Sequence, residues 1–172
     1  VKAQDLTVRA ATNNDRDLLR DFRCSGGQPW EDQVEEQVRG PLTSRYLAEP
    51  PVFDGRLLLG ISSDGTLLVV GAHRIEPMFA QDVGYTEVIA VAHQARGTLV
   101  RMAAGDDISL GHFLLETIFR QMVRVGRHPR TFVRVDRRNT RSLALLDRIG
   151  LSEERADADD GLVQRWGMLP QH

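Results

Sequence analysis

The feature that most restricts this chain is a repeated switch in the period of its apolar residues. Leu110, Leu114, Ile118 and Met122 recur every four residues, with Phe113 widening the stripe, which predicts a long helix with one buried face. The runs Arg56 to Ser62, Thr66 to Ile75, Tyr85 to Ala92 and Thr131 to Val135 are β-type instead and predict strands. A chain carrying both periods must pack helices on a sheet, and 172 residues are enough for one core.

The remaining segments fill in the order. Leu6 to Ala11 reads as a short strand, and Thr12 with Asp15 three positions later reads as an N-cap opening a helix that carries Leu18, Leu19 and Phe22. Gly26, Gly27 and Pro29 end that segment. Trp30, Val34 and Val38 give a second helix its stripe, which Gly40 and Pro41 are expected to break before Leu42 to Leu47. Ser63, Asp64 and Gly65 have the chemistry of a tight turn, so the runs they join should form an antiparallel hairpin. Thr98 to Met102 is a short extended stretch before a polar segment, and Ser109 or Asp107 can cap the long helix. Thr140 to Ile149 predicts a helix, with Gly150 at its left-handed C-terminal position. Leu151 to Arg155 and Leu162 to Met168 close the chain as a hairpin across Asp159, Asp160 and Gly161. The expected order is β, α, α, β, β, β, α, β, α, β, β, a mixed α/β (α+β) arrangement forming a single domain over residues 1–172.

Composition narrows the function classes. The 22 Lys and Arg, of which only Lys2 is lysine, face 24 Asp and Glu for a net charge of -2, which argues against a nucleic-acid partner. No apolar run approaches the roughly 20 residues of a membrane span, and residues 1–5 lack the pattern of a signal peptide, so a cytoplasmic protein with no membrane partner is expected. Cys24 is the only cysteine, which excludes an internal disulfide and a cysteine-built zinc site. The histidines at 73, 93, 112, 128 and 172 show no ligand spacing, and no metal is expected.

Residues 131–151, TFVRVDRRNTRSLALLDRIGL, place a strand before Asn139, Ser142 three residues later, and a helix ending at Gly150 and Leu151. This unit, within the element order above, resembles the GNAT-type N-acetyltransferase superfamily. The resemblance implies the GNAT acyltransferase fold, a mixed central sheet of about seven strands flanked by about four helices, in line with the element order above. It also implies acetyl-CoA as cosubstrate, transfer of acetyl directly to a primary amine of a small molecule or a protein, and a homodimer. Backbone groups around Ala90 and Val91 would hold the pantetheine arm, with Asn139 and Ser142 on its other side.

The family's phosphate loop starts correctly at Val91 through Arg96 and Gly97, but Thr98 does not continue it. The pattern resumes at Ser109, Leu110 and Gly111, leaving Leu99 to Ile108 as a ten-residue insertion. The insertion is either a surface hairpin lengthening the loop or a change that impairs the donor site, since Asp106 and Asp107 would repel a pyrophosphate they faced. The resemblance makes Glu87 the candidate base, with an exposed strand-end glutamate as the alternative. His73 could face the same cleft or be an ordinary buried histidine. A tyrosine that relatives use as general acid is replaced by Leu146. Cys24 has no activating histidine in the sequence, while Trp30 and Tyr46 could line an acceptor pocket or simply pack. Arg134, Arg137, Arg138 and Arg141 could reach a cofactor phosphate or form a solvated face. The competing function is a GNAT-fold binding or regulatory module without turnover.

Overall fold

The predicted extended runs share one sheet because their alternate side chains have somewhere to go on both faces. In a computed structural model that describes residues 2, 5–78, 81–125, 130–159 and 161–169, the strands are β1 (Leu6–Ala10), β2 (Gly55–Ser62), β3 (Leu67–Met78), β4 (Gln81–Val91), β5 (Leu99–Arg101), β6 (Asp107–Ser109), β7 (Arg130–Asp136), β8 (Glu153–Ala156) and β9 (Leu162–Met168). The helices are α1 (Arg16–Arg20), α2 (Pro29–Gln37), α3 (Thr43–Tyr46), α4 (Leu110–Val125) and α5 (Thr140–Arg148). Asp160, His128 and His172 lie outside the described residues. β2 sends Leu57 and Leu59 into the core under α1 to α3 and Leu58 into the core under α4, and β3 divides Val70 and Ala72 from Val69 in the same way. The sheet is therefore covered by helices on both faces.

Seven strands make up that sheet in the order β1-β2-β3-β4-β7-β9-β8, while β5 and β6 pair separately. All contacts within the seven are antiparallel except β4 with β7, which runs parallel. That junction is short: Gly84, Tyr85 and Thr86 face Thr131, Phe132 and Val133, and the strands then separate. It is fastened on both faces. On one, Thr131 Oγ1 donates to the Gly84 carbonyl at 2.9 Å, and a Cβ at Gly84 would come within 2.7 Å of Met122 Sδ, so glycine lets α4 sit down on the joint. On the other, Tyr85, Phe132 and Trp166 stack in sequence at 4.6 Å between successive centroids, linking β4, β7 and β9.

One connection differs from the sequence expectations, and one expectation left open is decided. Gly40 and Pro41 do not break the second helix. They fall in a π-helical turn, Val38–Leu42, that joins α2 to α3. Proline has no N–H to give the preceding turn, and the wider turn absorbs that loss without ending the helical path. The inserted segment is a hairpin, with Leu99 opposite Ser109 and Arg101 opposite Asp107, and it is anchored by Val100, which is fully buried. Elsewhere the expected signals act as read. Gly150 (φ +88°) closes α5 with its N–H on the Asp147 carbonyl and that of Leu151 on the Leu146 carbonyl. Asp15 accepts from both the backbone and hydroxyl of Thr12, and Arg9 adds a two-pronged contact the sequence did not signal.

Phe132 is the middle ring of the stack and is 5% exposed. Phe132→Ala should therefore cost about 3–5 kcal/mol in denaturant unfolding. A loss below about 1 kcal/mol would mean the joint is not held by these rings.

Candidate active site

Where β4 and β7 part, each leaves an unpaired edge, and a cleft opens between them. It has two connected lobes of about 380 and 460 Å³ that share Trp30, Val34, Ile89, Val91, Gly111 and Asn139 in their walls. Strand geometry fixes which backbone groups line the opening. Ala92 N donates to the Leu68 carbonyl, so bonds to β3 recur at Ala90 and Val88, and the N–H and C=O of Ile89 and Val91 are left facing the gap. Ala90, 4% exposed, lines the wall with its backbone committed to β3; Ile89 is the open position that the sequence did not single out.

The far lobe brings together the two halves of the interrupted loop. Arg96 and Gly97 (φ +81°) from the turn after β4 line it with Ser109, Leu110 and Gly111 from the start of α4. The hairpin pairing of Leu99 with Ser109 makes this closure, so the insertion loops out and its two ends stay adjacent. Asp106 and Asp107 are exposed, and Asp107 pairs with Arg101 at 3.4 Å. Ser109 Oγ accepts from His112 N at 3.3 Å, while Leu110 is buried and contributes only backbone. The first turn lies over Ile89 and Val91, whose Cγ2 atoms would be in ordinary van der Waals contact, at 3.8 and 3.7 Å, with a Cβ at Gly111. The first-turn amides of this helix carry the partial positive charge of a helix N-terminus.

The opposite wall comes from α5. Asn139 caps it, its Oδ1 accepting from Ser142 N at 3.1 Å and its amide NH₂ remaining as a donor. Both residues line both lobes. Arg141 and Arg148, two turns apart on one face of α5, line the far lobe, and neither is ion-paired to a carboxylate among the described residues. Arg148 was not singled out, although its spacing from Arg141 would have indicated it. The other members of the arginine group are engaged: Arg134 by both oxygens of Asp157 at 2.8 and 2.6 Å, Arg138 by Asp136 at 2.7 Å, and Arg137 by Glu154 at 3.6 Å.

Glu87 sits at the near lobe on a β-bulge. Val88 faces Ala72 and Thr86 faces His73, so Glu87 is the extra residue, and its side chain is 13% exposed. Arg45 donates to its Oε1, and Oε2 accepts from Tyr46 Oη at 2.9 Å and Arg74 Nη1 at 2.8 Å. Tyr46 packs edge-on against Phe53 at 4.7 Å, and burial followed by the nearby Glu87 charge pushes its phenol well above the ordinary range. It is thus a neutral donor. Tyr85, Glu87 and Arg134 line the lobe together.

Other candidates fall elsewhere. Burial pushes the Cys24 thiol up to about 12, which leaves it without thiolate character. Leu146 is buried, so it only fills space in the cleft wall. Trp30 lines both lobes, with the Arg138 guanidinium 4.9 Å from its ring centroid. His73 lies away from the cleft, beside a separate 270 Å³ cavity, with Nε2 3.1 Å from Gln121 Oε1 of α4 and Nδ1 without a partner.

No protein-family model matches the sequence, and no curated protein does. Solved structures do match. An acetyltransferase of the GNAT family from Streptococcus pneumoniae superposes with TM-score 0.63 at 14% identity, over 96% of this chain and 99% of that one. The ribosomal-protein-S5-alanine acetyltransferase of Vibrio fischeri gives 0.63 at 9%, over 98% and 96%. A variant of the spermidine N-acetyltransferase of Vibrio cholerae gives 0.59 at 12%, over 96% and 95%. At such identities the likeness is one of fold.

His73 supplies a check on the burial described above. Burial pushes its imidazole below the ordinary value, so the unfolded chain binds the proton better than the folded one. The stability it contributes is complete above a pH of about 6.5 and is lost as pH falls below that toward the depressed folded value. The thermal midpoint should fall from about pH 7 to about pH 5, and His73→Asn should flatten that slope. An unchanged slope in the variant would assign the pH response to other groups.

Proposed function

We propose that this chain, which has the GNAT N-acetyltransferase fold, is an acyltransferase that takes acetyl from acetyl-CoA and delivers it directly to a primary amine. The observation that carries the reading is the splayed β4/β7 junction with an open strand edge on one side and the α4 N-terminus at its end. An amide-bearing arm can complete an open strand edge, and helix N-terminal amides suit a pyrophosphate. The residues present fit such a donor. Ile89 and Val91 offer backbone donors and acceptors, Asn139 offers an amide opposite them, and Ser109 to Gly111 offer N–H groups beside Arg96, Arg141 and Arg148.

The donor supplies an activated thioester; the chain positions it and handles the amine's proton. Glu87 takes that proton at Oε1, the oxygen held by Arg45, whose side chain is 40% exposed and can move aside. Oε2 stays fixed by Tyr46 and Arg74, which aims the carboxylate. Because a thiol titrates near about 8.5, the leaving thiolate departs without the tyrosine that Leu146 replaces. The acceptor is a small-molecule or protein amine, and the protein acts in the cytoplasm, as a homodimer in keeping with the family.

The threefold engagement of Glu87 favours one rival, a GNAT-fold module that binds the donor without turnover. Titration of CoA with thermal unfolding, followed by acetyl-CoA turnover on an amine panel, separates the two. CoA at about one hundred times its Kd should add about 2.7 kcal/mol of stability. Glu87→Gln should then lower kcat on any accepted amine by about 100-fold or more without weakening CoA binding. Stabilisation by CoA with no turnover on any amine supports the binding module, and no response to millimolar CoA removes the donor site.

A further inference from the structure

The first turn of α2 crosses the cleft and touches both lips. On the β4 lip, Glu31 Oε1 is 2.9 Å from Arg96 Nη2, and the same guanidinium also donates to the Cys24 carbonyl. On the β7 lip, Trp30 stacks under Arg138, which Asp136 holds from both oxygens. The crossing is built into the chain. Glu31 Oε2 accepts from Gly26 N at 2.7 Å, and a Cβ at Gly26 would lie 2.6 Å from Arg96 Nη1, so glycine lets the guanidinium close on the loop before α2. Pro29 starts the helix and fixes where Trp30 and Glu31 project.

We propose that this turn is a strap over the donor cleft and that Glu31 is the residue that makes its opening depend on the donor's phosphates. The inference rests on the acetyl-CoA reading above. Arg96 is the cation nearest the loop end of the far lobe, and in the closed strap its fork is already taken by a carboxylate. A pyrophosphate entering beside the α4 N-terminus competes with Glu31 for that fork, and its charge repels Glu31 as it does so. Freed from Arg96, the turn stays joined to its own loop through Asp32 and Glu35, while its hold on the far lip rests on Trp30 and Arg138, a contact that is easily exchanged at a partly exposed site. A donor lacking phosphates makes no such exchange. Glu31 thus makes opening of the strap respond to polyphosphate-bearing donors and not to bare pantetheine thioesters, at some loss of CoA affinity, and ties donor binding to the loop Cys24 to Pro29, which meets the far lobe at Cys24.

The test is calorimetric titration of the full chain and of Glu31→Gln, which keeps an acceptor for Gly26 N while losing the charge, with CoA and with pantetheine. Glu31→Gln should bind CoA about three- to fivefold more tightly than the unaltered protein, the scale of one partly exposed ion pair, with pantetheine affinity changed less than about twofold. CoA should also shift Trp30 emission, isolated by difference against Trp30→Phe, whereas pantetheine should not. Equal or weaker CoA binding by Glu31→Gln overturns the strap, as does CoA binding with Trp30 emission unmoved. Absence of CoA binding by both proteins would instead remove the donor reading on which the strap rests.

Discussion

The three-pair parallel junction between β4 and β7 is the constraint on which the rest of the structure depends. If the strands stayed paired further, their edges would satisfy each other and there would be no cleft. If they did not pair at all, β7, β9 and β8 would have no tie to the other four strands in the sheet. The junction is short because the bulge at Glu87 turns β4 just past Thr86, and it is firm because Thr131, Met122 and the three stacked rings hold it from both faces. One irregular residue therefore does two things: it ends the pairing and it carries a carboxylate into the space that results.

Charge is distributed along the cleft in a way that suits a polar arm with an anionic end. The near lobe keeps its charges compensated, with Glu87 held by Arg45 and Arg74 and Arg134 held by Asp157, whose carboxyl this pairing lowers to about 2. The far lobe has Arg141 and Arg148 without acidic partners among the described residues, and Arg96 paired to a carboxylate on a separate element. The chain's net charge of -2 is silent about this, because it averages over neighbourhoods that do not see each other beyond about 10 Å.

Much of the fold was legible because it rests on local rules. The four-residue stripe of α4, the turn at Ser63 to Gly65 and the glycine after α5 each follow from neighbours in sequence. Glu87 and the nine residues expected to hold the donor line one cleft, including the two halves of a loop separated by the hairpin, whereas His73, also a candidate for it, lies at a separate cavity. What could not be read depends on register and on distance in the chain. The bulge at Glu87 exists only relative to β3, and Ile89 is open only because Ala92 is bonded. Arg45 and Tyr46 reach Glu87 across about forty residues of chain, and Glu31 on α2 reaches Arg96 in the turn after β4. No local pattern encodes such meetings. The π-helical turn at Gly40 and Pro41 was missed for the opposite reason: the local rule was sound, but the surrounding helices could absorb the break.

Amide hydrogen exchange with and without CoA tests the central claim most directly, because the open edge is a statement about particular N–H groups. CoA should slow exchange at Ile89, Val91 and the first turn of α4, Ser109 to Gly111, and leave Ala90, already bonded to β3, little changed. Protection confined to other segments, or spread equally over Ala90 and its neighbours, would contradict the assignment of the β4/β7 opening as the donor site.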